Sequence, residues 1–276
     1  MSKANPSLVG AVMDQVHAAL LAVEHRPVVI GLCGAQGSGK TTLAEAVIAT
    51  CTGEGLRCAG FSIDDIYLTR GAREELARTV HPLLATRGVP GTHDVTLGQE
   101  VMDALARGEA AALPRFDKAQ DDRAARADWP RAPEGCEVLI FEGWCVGAVP
   151  QSEADLAAPV NALEEREDGD GRWRRYVNAA LAGSYAALFA RLDRLVLLAA
   201  PGFEVVHGWR LEQERDLARS AASGAAVMDE AGIARFISHY ERLTRYILQE
   251  MPARADLVIQ MDEQRHPISI RTNQSA

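Results

Sequence analysis

A glycine-rich loop near the N-terminus is the feature that most constrains the fold of this chain. Residues 34–41 read Gly-Ala-Gln-Gly-Ser-Gly-Lys-Thr and match the pattern G-x-x-x-x-G-K-[ST] at every fixed position. An apolar run at residues 28–33 precedes the loop and a helical pattern follows it, which is the strand–loop–helix context of a phosphate-binding loop. The alternative is a strand–turn–helix junction that merely uses glycine. The motif and its context together favour the binding of a nucleoside triphosphate.

The residue types of the loop fit that chemistry. Glycines let the backbone curl until several N–H groups point at phosphate oxygens, and the N-terminus of the following helix adds partial positive charge. Lys40 is expected to reach the β- and γ-phosphates, and the Thr41 hydroxyl is expected to bind Mg²⁺. The expected nucleotide-binding residues are Gly34, Ala35, Gln36, Gly37, Ser38, Gly39, Lys40, Thr41 and Thr42.

Charge and cysteine content narrow the setting in which the chain works. The 276 residues carry 29 basic and 38 acidic side chains, a net charge of −9, which argues against nucleic acid or an anionic membrane surface as the partner. No apolar run approaches the ~20 residues that span a bilayer, and the N-terminus lacks the apolar core of a signal peptide. The five cysteines form no C-x-x-C pair, so neither a disulfide framework nor a zinc site is predicted. A reduced, cytoplasmic setting is expected, and the sequence carries no signal for an oligomeric state.

Strands alternate with helical patterns along the chain, which predicts the α/β class with a doubly wound, mostly parallel sheet in a single domain over residues 1–276. The predicted strands are residues 28–33, 57–63, 138–141, 195–199 and 256–261. The other predicted segments are an amphipathic helix at 7–25, an acidic loop-like surface excursion at 150–175, a lid at 202–222, one long helix at 230–250 and a weakly ordered tail from Gln264.

Two adjacent acids, Asp64 and Asp65, follow the second predicted strand. The carboxyl ends of parallel strands form the edge at which ligands of open α/β sheets bind. Because neighbouring side chains of an extended chain face opposite ways, only one of the two acids is expected to face the phosphates. The alternative role is helix capping, for which aspartate is well suited. Since a cap needs only one acid, the pair favours a function.

A third predicted strand ends in Phe141-Glu142-Gly143-Trp144. Glu142 occupies the place of the second acid of nucleotide hydrolases and kinases, which acts on Mg²⁺ directly or through water. The expected Mg²⁺ ligands are therefore Thr41, Asp64 and Glu142.

Basic side chains occur in loops that follow these strands. Arg115 and Lys118 lie in a densely charged loop that is either a solvated face or a binding site for an anionic substrate. Arg210 begins a helix that also carries Arg215 and Arg219 one turn apart. These arginines either pair with acids along the helix or form a lid over the transferring phosphoryl group.

The absence of other motifs separates the nucleotide-binding classes. The sequence has no Asn-Lys-x-Asp motif of a regulatory GTPase, and its third strand does not end in the acidic run of a motor or transporter ATPase. Phosphoryl transfer to a small hydroxyl acceptor fits better, with one strand-end acid taking the acceptor's proton.

The chain resembles the D-glycerate 3-kinase family, which belongs to the phosphoribulokinase/uridine kinase group of P-loop kinases. The narrowest motifs are Arg-Gly-Val-Pro-Gly-Thr-His-Asp at residues 87–94 and Phe-Glu-Gly-Trp at 141–144, and the resemblance covers about residues 25–262. The remaining segments that carry it are residues 34–42, 62–67, 79–82, 114–118 and 209–214.

This resemblance implies that ATP and D-glycerate give 3-phosphoglycerate and ADP, with Mg²⁺ as the metal. Asp64 matches the aspartate that acts as base in the larger group, whereas Asp65 departs from the serine or glycine found there in uridine and pantothenate kinases. Both assignments of the base within the pair therefore stay open. The residues expected to act in catalysis are Asp64, Lys40 and Arg210. The expected contacts of the small anionic substrate are Asp65, Tyr67, His93, Arg115 and Lys118.

Two alternatives remain at this point. One is a uridine- or pantothenate-type kinase of the same group. The other, of a different class, is a nucleotide-dependent switch ATPase that binds a protein partner through the N-terminal helix and the acidic excursion.

Overall fold

The computed structural model describes residues 4–220 and 229–273, without the side chains of residues 214–220. Its helices are α1 (Pro6–Ala22), α2 (Lys40–Gly53), α3 (Arg70–Thr79), α4 (Val95–Ala106), α5 (Ala162–Glu167), α6 (Arg172–Ala180), α7 (Ala186–Phe189), α8 (Glu204–Ser220), α9 (Glu230–Ser238) and α10 (Glu241–Glu250). Its strands are β1 (Val28–Gly34), β2 (Cys58–Ser62), β3 (Phe116–Asp117), β4 (Asp122–Arg123), β5 (Val138–Gly143), β6 (Arg194–Ala199), β7 (Leu257–Met261) and β8 (Pro267–Thr272). Short 3₁₀ turns lie at Ile63–Ile66, Pro82–Ala85, Arg126–Asp128 and Met251–Ala253, and a π-helical turn at Leu181–Tyr185 joins α6 to α7.

A single six-stranded sheet carries the fold, in the order β2-β5-β1-β6-β7-β8. The first five of these strands are parallel, and β8 pairs antiparallel with β7. Strands β3 and β4 form a separate two-stranded hairpin. Every residue of β1 and β5 is buried, as expected for central parallel strands covered on both faces. The α/β class and the mostly parallel, doubly wound sheet are thereby confirmed.

Each face of the sheet has its own apolar core. Helices α1 and α2 cover one face, where buried side chains such as Val12 and Val47 meet Ile30. Helices α4, α7 and α10 cover the other face around Phe61 and Phe141. Asn5 caps α1 by accepting a hydrogen bond from the Ser7 amide, and Pro6 fits the first helical position. The predicted N-terminal helix is therefore a packed part of the domain.

The prediction of a weakly ordered tail from Gln264 is wrong for the described residues. The chain turns at residues 262–266 and returns as β8, which extends the sheet beyond β7. Asp262 holds this turn, since its carboxylate accepts hydrogen bonds from the amides of Gln264 and His266. The sequence pattern did not predict this strand because, as an edge strand, it is mostly exposed and lacks a continuous apolar run.

The single helix predicted at residues 230–250 is also wrong. It is divided at His239 and Tyr240 into α9 and α10. Tyr240 is 1% exposed, and its hydroxyl donates a hydrogen bond to the carbonyl of Arg87, 153 residues earlier in the chain. This long-range contact accompanies the break, which the helical periodicity does not show.

The acidic excursion is not a surface loop throughout. It contains α5, and Glu164 and Asp168 are buried in ion pairs with Arg242 and Arg174. Two of the acidic residues that the sequence analysis placed at the surface are therefore buried. Within residues 4–220 and 229–273, no helix combines the length and apolar character needed to cross a membrane.

Candidate active site

The phosphate-binding loop joins β1 to α2 at the carboxyl edge of the sheet. Gly37 and Gly39 have φ angles of 77° and 86°, a left-handed conformation that side chains disfavour. Lys40 is the first residue of α2, so its side chain and the helix N-terminus lie at the same place. A Cβ on Gly37 would come within 2.7 Å of Trp209, which leaves glycine as the residue that fits there.

A hydroxyl and a carboxylate meet at the start of α2. The Thr41 hydroxyl donates a hydrogen bond of 3.0 Å to Oε1 of Glu142, which is 5% exposed. Burial raises the pKa of Glu142, and the ammonium group of Lys40 opposes that rise. In the described part of the chain, the other carboxylate oxygen, Oε2, is buried without a well-formed hydrogen bond.

These two residues fit a Mg²⁺ ion or its water shell, because Mg²⁺ takes oxygen ligands and usually keeps several waters. No three His, Cys, Asp or Glu side chains of the described residues group into a complete metal site. A bound Mg²⁺ would therefore depend on phosphate oxygens and water for its remaining ligands.

Asp64 and Asp65 lie in the 3₁₀ turn that follows β2, and both line the same cleft. Both can line it because the chain has already left the extended conformation at these positions, and Asp64 also lines the smaller cavity described below. Which of the two faces the phosphates stays a prediction. Asp65 accepts a hydrogen bond of 2.9 Å from the amide of Ser62 and pairs with Arg115 at 3.1 Å. Asp65 therefore caps the 3₁₀ turn, and both acids of the pair line the cleft.

Two lysines, Lys118 and Lys40, act on the Asp64 carboxylate. Its Oδ2 lies 2.8 Å from the ammonium group of Lys118, and its Oδ1 accepts a hydrogen bond of 2.7 Å from the Tyr67 hydroxyl. Burial by itself would raise the pKa of Asp64, but Lys118 and Lys40, with these hydrogen bonds, hold the pKa below its usual value. The Asp64 carboxylate in turn raises the pKa of Lys118. Both groups are charged near neutral pH.

Two adjoining cavities meet at these side chains. An open cleft of about 1100 Å³ runs along the phosphate loop, the two aspartates and Glu142. A smaller cavity of about 400 Å³ lies next to it. The side chains that line both are Gln36, Lys40, Asp64, Lys118 and Arg210. A reacting phosphoryl group and its acceptor would meet at this shared wall.

The smaller cavity combines cations with an aromatic wall. Arg87 joins Lys118 and Arg210 as a third cation outside the phosphate loop, and Trp144 packs edge-to-face against Tyr240 with ring centroids 4.8 Å apart. Sequence reasoning did not place Arg87, Trp144, Phe236 or Tyr240 in a site. Trp144 and Arg87 lie in the two narrowest motifs of the family resemblance, which is the signal that could have found them.

Gln36 has a distinctive environment in this wall. Both polar atoms of its side-chain amide are buried, and neither makes a hydrogen bond within the described part of the chain. Buried polar groups in native structures are nearly always paired, so an unpaired amide at a cavity wall is typical of a site that a ligand or water completes.

His93 lies behind the cavity. It stacks on Tyr67 with centroids 4.8 Å apart, and its Nδ1 shares a hydrogen bond with the Tyr185 hydroxyl. It is 5% exposed and borders neither of the two cavities. Burial lowers its pKa to about 4, so the ring is neutral at physiological pH. The structure thus places His93 as a support for Tyr67 and does not bring it to the pocket wall.

Arg210 reaches both cavities from α8. Its guanidinium lies 5.3 Å from the centre of the Phe236 ring and donates a hydrogen bond of 2.9 Å to the side chain of Gln213. The side chains of Arg215 and Arg219 fall outside the described residues, so their predicted part in a lid stays a prediction.

A doubly wound sheet, a phosphate loop at the end of its first strand, acids at two further strand ends and an adjoining cavity define a P-loop kinase. Comparison with known proteins places it more narrowly. The profile of the Phosphoribulokinase / Uridine kinase family matches residues 29–157. The chain is 34% identical to Uncharacterized kinase mug58 of Schizosaccharomyces pombe over 89% of this chain and 91% of that protein.

Two further relatives carry a more specific name. D-glycerate 3-kinase, chloroplastic, of Arabidopsis thaliana is 31% identical over 88% of this chain, which spans only 54% of that protein's length. The structure of D-glycerate 3-kinase from Cryptococcus neoformans superposes with a TM-score of 0.78 at 25% identity, covering 97% of this chain and 98% of the other. The chain belongs to the phosphoribulokinase/uridine kinase family, in the group that includes these D-glycerate 3-kinases.

Proposed function

We propose that this kinase transfers the γ-phosphoryl group of ATP to a small hydroxy acid, D-glycerate in the first place, to give 3-phosphoglycerate and ADP. The observation that carries the proposal is the 400 Å³ cavity beside the phosphate loop, which is lined by Asp64 and by the basic side chains of Arg87, Lys118 and Arg210. Lys118 is paired with Asp64 and Arg87 with Asp121, and a compact anionic acceptor would offer these cations a further carboxylate. The D-glycerate 3-kinases among the relatives support the same acceptor.

In this proposal the phosphate loop binds the triphosphate of ATP in the larger cleft. Lys40 would neutralise charge on the β- and γ-phosphates, and Thr41 and Glu142 would hold Mg²⁺. When bound, Mg²⁺ withdraws charge from the phosphate oxygens. Arg210 lies on the wall shared by both cavities and is placed to stabilise charge on the moving phosphoryl group.

Asp64 acts as the general base. The acceptor's hydroxyl gives its proton to the Asp64 carboxylate while its oxygen attacks the γ-phosphorus and ADP leaves. Burial and the neighbouring Asp64 carboxylate keep the pKa of Tyr67 well above its usual value, so the Tyr67 hydroxyl remains a donor and fixes one carboxylate oxygen. Lys118, which is paired with Asp64, and Arg87, which is paired with Asp121, are the partners proposed for the acceptor's carboxylate. The buried amide of Gln36 is the partner proposed for a hydroxyl of the acceptor.

The aromatic wall argues against a larger acceptor. Trp144 is held in place by its indole N–H, which donates a hydrogen bond of 2.8 Å to the carbonyl of Gly88, and Tyr240 packs against it. Both rings line the smaller cavity, which favours a compact acceptor over a nucleoside or pantothenate.

The experiment is an acceptor panel read by ADP release, with D-glycerate, L-glycerate, uridine, pantothenate and ribulose 5-phosphate. The expected result is turnover with D-glycerate far above the others. Preferential phosphorylation of uridine or pantothenate would replace the proposed acceptor by that of the alternative kinase type. Release of ADP that no small acceptor stimulates, but a protein does, would support the switch ATPase instead.

The two aspartates are tested by matched variants. Asp64→Asn is expected to lower kcat by about 10²- to 10⁴-fold, the usual contribution of a general base, with ATP affinity nearly unchanged. Asp65→Asn removes the neighbouring carboxylate and is expected to affect turnover less. If Asp65→Asn abolishes turnover and Asp64→Asn does not, the base is Asp65.

The switch ATPase has less support from the structure. Helix α1 packs on the sheet, and Glu164 and Asp168 of the acidic segment are internal. A cytoplasmic setting remains part of the proposal, and the five free cysteines are compatible with it.

A further inference from the structure

A single arginine of the C-terminal turn touches the phosphate loop from outside the active-site cleft. The Nε–H of Arg265 donates a hydrogen bond of 2.6 Å to the carbonyl oxygen of Gly37, 228 residues earlier in the chain. Arg265 borders neither the large cleft nor the smaller cavity. It therefore reaches the loop from outside the cleft that phosphates would occupy.

The same guanidinium makes two further contacts, both with α8. It forms an ion pair of 2.6 Å with Glu212 and lies 5.3 Å from the centre of the Trp209 ring. Trp209 is anchored to the same turn, because its indole N–H donates a hydrogen bond of 2.6 Å to the carbonyl of Glu263. The turn, the phosphate loop and α8 thus meet at Arg265.

The backbone of Arg265 is in an unfavourable conformation. Its φ is 68°, in the left-handed region that residues other than glycine, asparagine and aspartate seldom adopt. Such a conformation persists only where the surrounding structure over-determines it, and it is a reason to look for a function. Asp262 holds the turn through backbone amides, so the side chain of Arg265 is not needed to form it.

We propose that Arg265 is a positioning residue of the phosphate loop, which keeps the carbonyl of the peptide between Gly37 and Ser38 turned away from the cleft that phosphates would occupy. The amide of Ser38 already donates a hydrogen bond of 3.1 Å to the carbonyl of Ala35. With Arg265 on the carbonyl of Gly37, both polar groups of this peptide are held.

The physical reason lies in the glycines of the loop. Gly37 has little steric resistance to rotation of its peptide, and a rotated peptide would turn a carbonyl oxygen towards the phosphates. An anion-binding loop requires that N–H groups and not carbonyls face the anion. Arg265 prevents that rotation by giving the carbonyl a charged donor outside the cleft. Its own charge is paired with Glu212, so it acts through geometry more than through long-range attraction.

The proposal rests on ATP as the nucleotide of the proposed function, but not on the identity of the acceptor. The variant is Arg265→Gly, because glycine adopts a φ of 68° without strain and the exchange removes only the side chain. The control is Arg271→Gly on β8, whose guanidinium bonds to the carbonyl of Pro252 and the side chain of Asn273, away from the loop. Binding of ATP with Mg²⁺ is measured directly by equilibrium titration without any acceptor, and melting temperatures are measured alongside.

Arg265→Gly is expected to weaken ATP binding about tenfold, the effect of losing a hydrogen bond from a charged donor. At saturating ATP the KM for the acceptor should not change, and Arg271→Gly should bind ATP as the wild type does. Arg265→Lys is expected to restore part of the affinity, because lysine offers a donor but neither the planar fork nor the stack on Trp209.

Wild-type affinity in Arg265→Gly would overturn the proposal, as would an equal loss in Arg271→Gly. Complete rescue by Arg265→Lys would show that charge alone is required and would also overturn it. Absence of ATP binding in the wild type would overturn the proposed function itself, an outcome separate from the other three.

Discussion

Lys118 is the residue that bears most directly on the proposed acceptor. It sits at the tip of the β3–β4 hairpin, its side chain is 59% exposed, and its ammonium group is paired with Asp64. An exposed lysine can exchange one anionic partner for another at little cost, since its stem is flexible. The acceptor's carboxylate is the partner proposed here.

Removing that charge should reduce discrimination between an acid and a neutral polyol. Lys118→Met is expected to raise the KM for D-glycerate by about tenfold or more, the effect of losing a charge-assisted hydrogen bond, and to leave the poor turnover of glycerol nearly as it is. The measurement is kcat/KM for both acceptors at saturating ATP. Lys118→Arg keeps the positive charge and serves as the control. If Lys118→Met retains the full preference for the acid, Arg87 or Arg210 must bind the carboxylate.

At the scale of elements, the loop at residues 86–94 supports the wall of the smaller cavity. The hydroxyl of Tyr185, in the π-helical turn, accepts a hydrogen bond from the amide of Gly91 and shares one with His93. His93 in turn stacks on Tyr67, which holds Asp64. A neutral buried histidine therefore connects the loop to the proposed base.

This arrangement predicts a loss of stability in mild acid. The pKa of His93 falls from 6.5 to about 4 on folding, so between these values the unfolded chain binds more protons than the folded chain. Stability therefore decreases as the pH falls from about 6.5 to about 4, by up to about 3 kcal/mol, and this group adds no pH dependence above that window.

The check is urea unfolding of wild type and His93→Gln at several pH values between about 4 and about 7. The variant should be less stable near neutral pH but should lose less stability on acidification. His17→Gln, at an exposed position of α1, is the control and should follow the wild type. Parallel pH profiles for wild type and His93→Gln would contradict the prediction.

At the scale of the whole molecule, one buried arginine ties the acidic segment to the rest of the fold. Arg242 of α10 forms two hydrogen bonds with Glu164, at 2.8 and 2.6 Å, and donates others to the carbonyls of Asp155 and Ala158. Glu164 is 1% exposed. The segment is therefore held by its interior contacts and not by its surface charge.

Breaking this pair should be costly. Glu164→Leu leaves the Arg242 guanidinium buried without its carboxylate and is expected to lower the free energy of unfolding by about 3–5 kcal/mol. Glu167 lies on the same helix but pairs with Arg235 at the surface, so Glu167→Leu should cost less than about 1 kcal/mol. Urea denaturation of the two variants measures both free energies of unfolding. Similar decreases in the two variants would show that the buried pair stabilises the fold no more than the surface pair does.

Sequence reasoning was strongest where the chemistry is local. The phosphate loop is contiguous, and parallel strands bring Asp64 and Glu142 to one edge, so these residues could be grouped before the structure was known. The break at Tyr240, the strand β8 and the burial of Glu164 could not be predicted, because each depends on a partner far along the chain. His93 belonged to a narrow motif, yet its side chain turned towards Tyr185 and away from the cavity.

The sequence by itself determined the phosphate-binding loop of this protein, since a glycine-rich strand–loop–helix needs little beyond its own backbone conformation to bind phosphate. Only the tertiary structure decided the cavity that is proposed for the acceptor. Arg87, Trp144 and Tyr240 come from separate elements, and their convergence depends on the packing of loops and helices over the sheet. The same holds for Arg265, whose contact with Gly37 forms only when the last hairpin folds back onto the loop near the start of the chain.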